Sequence, residues 1–121
     1  LNVFHVAADY WETKLDSDVD IVVNAQFSPL FCSQFSAVLG SAGPRGFQRD
    51  FTGAPVANTW HVIALSNSLT GSDASPTTPD IGATFNSKLD SDPNCFGGAG
   101  WNYEIGEPTG SPLELYSVVL H

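Results

Sequence analysis

Methionine is missing from this sequence, and basic residues nearly so. Four lysines and arginines stand against thirteen aspartates and glutamates, a formal net charge of −9. A surface of that sign repels nucleic-acid phosphates and anionic lipid headgroups, which leaves cations and basic groups as suitable partners. The acids are scattered rather than blocked, as a plainly solvated surface also requires. No run of about 20 apolar residues is present, so no membrane-spanning helix is expected. There are two cysteines, Cys32 and Cys95, without C-x-x-C spacing and without a neighbouring histidine to complete a zinc finger. They fit one long-range disulfide in an exported protein, with two buried free thiols as the alternative. No signal peptide stands at the front. With no initiator methionine and a helical pattern from the first residue, the expectation is that residues precede Leu1.

What is present suffices for a core: 42% of the residues are apolar and only 14% charged, one domain or part of a larger one over residues 1–121. Over residues 1–15, Phe4, Ala7, Ala8, Trp11 and Leu15 recur at spacings of three and four, which predicts an amphipathic helix. From Val19 the period becomes two. Val19, Ile21, Val23, Ala25 and Phe27 alternate with Asp20, Val22, Asn24 and Gln26, a half-buried strand ended by Ser28 and Pro29. Glycine and proline punctuate residues 30–58, where short strands or turns are expected at 37–39 and 47–51.

A second helix is predicted over about 59–70, with Asn58 or Thr59 as its cap and Gly71 closing it. Its face carries Trp60, Ile63, Ala64 and Asn67. "DIGATFNS" turns Ile81, Ala83 and Phe85 inward as a strand, "KLDSDPNCFGGAG" reads as a loop, and "WNYEI" as a short strand. The last helix is expected over about 112–121. Ser111 and Glu114 form a capping box around Pro112, and Leu113, Tyr116, Leu120 and the valines make the apolar face. No closing residue follows, so this helix is expected to continue beyond His121. Helices and strands mix without strict alternation, which favours α+β over a doubly wound sheet. "KLDSD" occurs at 14–18 and again at 88–92, once after a helix and once after a strand, and is read as coincidence.

Few residues carry chemistry. His121 has two readings: an ordinary exposed histidine, or the first zinc ligand of an H-E-x-x-H helix. In that motif two histidines one turn apart bind the metal, and the glutamate between them polarises water. His5 and His61 fall on predicted helices without ligand-spaced partners and read as structural or partly exposed. Asp90, Asp92 and Asn94 present oxygens at every second residue, the opening of a calcium loop. The glycine and glutamate that such a loop needs are missing, so turn chemistry is the stronger reading. Asp73 in "GSD" and Asp80 would add oxygens if the fold brought them together. "CFGGAG" lacks the strand and helix that a nucleotide loop requires.

Taken together, "AADYW" (7–11), "FSPLFC" (27–32), "AVLGSAGP" (37–44), "DFTGAPVANTW" (50–60), "DIGATFNS" (80–87), "GWNY" (100–103) and "LYSVVLH" (115–121) resemble a group of secreted bacterial zinc-metallopeptidase-like proteins that carry a protease-associated domain. In that group the last stretch runs on into Glu-hydrophobic-Gly-His. The resemblance implies a zincin-like scaffold: a twisted mixed sheet, a backing helix at 1–15 and an active-site helix broken off at residue 121. It makes His121 the first zinc ligand. The base and second histidine would lie in a C-terminal remainder, so this chain alone would not cleave peptides.

Two functional expectations follow. The first is the N-terminal part of an exported zinc endopeptidase acting on peptides or proteins. The second is a non-catalytic extracellular subunit or binding module, self-associating through exposed edges.

Overall fold

A computed structural model describes residues 2–106 and 113–121. The elements in chain order are α1 (Asn2–Glu12), β1 (Val23–Ser28), β2 (Gly40–Pro44), β3 (Phe47–Gln48), β4 (His61–Val62), α2 (Ile63–Thr70), β5 (Ile81–Asn86), α3 (Lys88–Ser91), a 3-10 turn (Cys95–Gly98), β6 (Trp101–Asn102), β7 (Leu113–Glu114) and α4 (Leu115–Leu120). The architecture is α+β. One three-stranded sheet has the order β1-β5-β2, and two-stranded pairs join β3 to β4 and β6 to β7. No described helix is long and apolar enough to cross a membrane.

Contacts divide the chain into two units, the first made of Leu1–Leu15, Phe27–Ser41 and Phe85–His121, the second of Asp16–Gln26 and Ala42–Thr84. In the first unit α1 buries Val3 and Ala7, and Phe4 meets the rings of Phe27 and Phe85 at 6.3 and 5.2 Å. Ala8, expected on the buried stripe, faces solvent, because the contact face is centred on Val3 and Ala7. Leu89, Cys95, Trp101 and Leu115 complete this core. Cys32 and Cys95 form a disulfide across 63 residues of chain. In the chain-entropy view, closing such a loop contributes about 4 kcal/mol.

The second unit is organised around the start of β5. Its Asp80 carboxylate accepts the Val22 N–H, while the N–H groups of Asp80 and Ile81 both donate to the Val22 carbonyl. That local knot explains why β1 begins at Val23 and not at Val19. β1 lies at the edge of its sheet, and five of its six residues are exposed, not the half-buried alternation its sequence suggests.

Three predicted boundaries are corrected. Helix α2 starts at Ile63, because residues 61–62 pair antiparallel with β3 and so spend their backbone groups on a ladder. Asn58 is no helix cap: it sits at φ 56°, in the left-handed region. Gly71 does close α2, at φ 66°, a conformation that costs glycine little. At the last helix, Leu113 and Glu114 pair in parallel with Trp101 and Asn102, so α4 begins at Leu115. Ser111 and Pro112, half of the expected capping box, lie outside the described residues. Finally, residues 88–91 are a short helix where a loop was expected, whereas the identical "KLDSD" at 14–18 is not helical.

Candidate functional site

Helix α4 packs on α1 within the first unit. Trp11, near the end of α1, donates its indole N–H to the Leu120 carbonyl at 3.2 Å. This bond fixes the last turn before His121, which is exposed. At the other end, Ser117 donates its hydroxyl to the Glu114 carboxylate, so that glutamate serves the first turn of α4. His5 is exposed on α1. His61 is not helical but lies on β4, buried, with its ring edge-on to Phe51 at 5.4 Å and its Nδ1 without a hydrogen-bond partner.

Two of the candidate calcium ligands, Asp90 and Asp92, accept hydrogen bonds from the protein itself. Asp90 accepts the Trp101 N–H at 2.8 Å through one oxygen and the Tyr103 hydroxyl through the other. Burial, the hydrogen bond to Asp90 and the Asp90 charge together push the Tyr103 phenol up to about 12. Asp92 accepts the N–H of Asn94 at 2.9 Å, a turn closed on itself. A hollow of about 340 Å³ adjoins this loop, bordered by Asp90, Asp92, Pro93 and Gly98. Among the described residues no group of three or more histidine, cysteine or acidic side chains is placed to hold a metal.

Asp73 and Asp80 do converge, on an amide. Asn67, fully buried on α2, donates its Nδ2 to both carboxylates at 3.1 Å, and its Oδ1 accepts the Ala74 N–H. The space between the two acids is thus filled by a hydrogen-bond donor, the arrangement that lets a buried carboxylate stay solvated by protein. In the first unit Asn86 plays the same part. Its Nδ2 donates to the carbonyls of Phe31 and Val38, and its Oδ1 accepts the N–H groups of Leu30 and Lys88.

Neither asparagine stood out in the sequence. The one available signal was position: Asn67 on the apolar face of a helix and Asn86 directly after the inward Phe85. Compared with protein-family models, with curated proteins and with solved structures, the chain matches none of them.

Proposed function

We propose that this chain is the N-terminal part of an exported zinc-dependent endopeptidase of zincin-like build, with His121 as its first zinc ligand. The reading is carried by the α1–α4 pair. A helix at the front of the chain lies against the helix that leads into His121, and the Trp11–Leu120 hydrogen bond holds that last turn. This is the pairing expected of a backing helix and a metal-bearing one. The Cys32–Cys95 disulfide supports an oxidising, extracellular setting.

The described residues do not by themselves fit zinc, since no cluster accompanies the lone His121 imidazole. The chain alone is therefore non-catalytic in this reading, and no hydrolytic step is assigned to its residues. Sequencing the gene beyond residue 121 and weighing zinc in the longer protein tests the proposal. Glu-x-x-His should follow directly, with one zinc per chain that is lost in His121→Ala. Any other continuation, or zinc retained in the variant, overturns it.

The second reading, a non-catalytic binding module, is favoured by large apolar side chains held in the open. Phe35, 85% exposed, stands at the tip of a turn that Ser33 closes through the N–H groups of Phe35 and Ser36, one residue from the disulfide.

A further inference from the structure

Eight prolines punctuate the chain, and Pro93 alone follows an aspartate. An Asp–Pro bond differs from other peptide bonds in two chemical respects. Its nitrogen carries no N–H, so it cannot attack the aspartate side chain and close a succinimide. The side-chain carboxylate can instead attack its own main-chain carbonyl, closing a five-membered ring, while proline leaves as a secondary amine. In a free chain the side chain samples several rotamers, and few of them bring the carboxylate to that carbon.

Here both sides of the bond are anchored, within the first unit. The Asp92 N–H donates to the Lys88 carbonyl at 2.9 Å and ends α3. Three residues on, Cys95 is buried and tied to Cys32. Between these anchors Asp92 is extended, at φ −121° and ψ 109°, and Pro93 is exposed. The Asp92 Oδ1 accepts the Asn94 N–H at 2.9 Å, so the side chain folds along the Asp92–Pro93 peptide instead of reaching out to solvent. Its Oδ2 makes no hydrogen bond among the described residues.

The carbonyl that would be attacked is held too. The Asp92 main-chain oxygen accepts the Cys95 N–H at 2.9 Å. A donor at that distance polarises the carbonyl and gains strength as its oxygen becomes negative, the part an oxyanion donor plays. The disulfide at Cys95 keeps this donor in place. The hollow of about 340 Å³ is bordered by Asp92, Pro93 and Gly98, with room for water beside the bond. Asp90 is the other titratable group on its wall, and both its oxygens are held by Trp101 and Tyr103.

We propose that Asp92–Pro93 is a self-cleavage site, at which the folded chain cuts its own backbone in acid. A carboxylate oxygen of Asp92 bonds to the main-chain carbonyl carbon, and the C–N bond to Pro93 breaks. The proline nitrogen takes a proton from hydronium and becomes a secondary amine. The cyclic anhydride left behind adds one water and opens to a carboxyl-terminal aspartate. Acid supplies the proton that the leaving nitrogen needs, and the reaction slows again once the carboxylate itself is protonated. Every atom comes from the chain and from water, and the chemistry is independent of the zinc reading. Cys32 lies before the cut and Cys95 after it. The piece that carries α4 and His121 therefore stays attached until the disulfide is reduced. Acid cuts, and reduction releases.

The test is incubation of the purified, oxidised chain at the lowest pH at which circular dichroism shows it folded, followed by intact mass. The unreduced mass should rise by one water. Reduction should then yield residues 1–92 and 93–121, the second piece beginning Pro-Asn-Cys. Asp92→Ala removes the nucleophile and Pro93→Ala introduces an N–H, and each should slow the cut at least about tenfold. A peptide of residues 88–98 with Cys95→Ser keeps the bond but not the fold, and should also be cut at least about tenfold more slowly. An equal rate in the peptide is ordinary acid lability and overturns the proposal. So does a folded chain that stays whole, or a cut that persists in Asp92→Ala.

Discussion

The indole N–H of Trp101 donates to the main-chain carbonyl of Asn86 at 2.9 Å, with both residues buried. Asn86 is already the junction of four backbone groups, and its own N–H donates to the Leu39 carbonyl. Asn86→Leu keeps the number and branching of the side-chain heavy atoms but strands those four groups away from water. The expected loss is about 3–5 kcal/mol of unfolding free energy, against about 1–2 for Trp101→Phe. Urea denaturation of both variants decides it, and a loss below about 1 kcal/mol for Asn86→Leu would remove Asn86 from its central place.

A different substitution tests the second unit. Asn67→Asp replaces the donor between Asp73 and Asp80 with a third carboxylate. Like charges that close cannot all ionise, so the introduced acid takes up protons more readily when the chain is folded. A group with a raised folded pKa contributes stability below its unfolded value and loses it as pH rises. The variant should therefore be destabilised by about 2–4 kcal/mol at neutral pH, and the deficit should shrink on acidification through the carboxylate range. Denaturation midpoints at neutral and acidic pH measure this, and a deficit that does not change with pH would contradict it.

These junctions show what was legible in the chain and what was not. The helix over 2–12 and the strand over 81–86 were readable, because one amphipathic period and one alternation fixed them locally. The α+β class followed from their mixture. The strand at 61–62 was not readable, since "TWHVIAL" satisfies a helical stripe equally well and the pairing with residues 47–48 decides it. The shortened α4 has the same cause, a partner in residues 101–102. At Asp90, Asp92 and Asn94 the sequence spacing left a calcium loop open beside the stronger reading of turn chemistry. The donors to Asp90 and Asp92, from Trp101, Tyr103 and Asn94, were visible only once the loop was folded.

The disulfide carries its own expectation. Cys32→Ser/Cys95→Ser should lower stability by about 4 kcal/mol through the freed denatured chain. The wild-type chain should take up no alkylating reagent until it is reduced. The turn at Phe35 should loosen as well, because the Phe96 N–H that donates to the Ser33 carbonyl at 2.8 Å sits beside Cys95. Mass spectrometry after alkylation and amide exchange over residues 31–38 would check both, and protection unchanged in the double variant would assign the turn's order to Ser33 alone.

The phenol of Tyr103 gives the one titration that the structure singles out. Burial pushes it up first, then the hydrogen bond to Asp90 and the Asp90 charge, to about 12 against an ordinary 10. The folded value lies above the unfolded one, so this contribution to stability is whole below pH about 10 and is lost as pH rises through about 12. Spectrophotometric titration of the three tyrosines should show one phenolate forming late, and Tyr103→Phe should abolish that step. Asp90→Asn removes the charge and weakens the hydrogen bond but leaves the burial, so the late step should move down only part of the way. Tyr103 is half exposed, and added salt should shrink the charge-dependent share. A late step that survives Tyr103→Phe would place the perturbed phenol on Tyr10 or Tyr116 and break the link to Asp90.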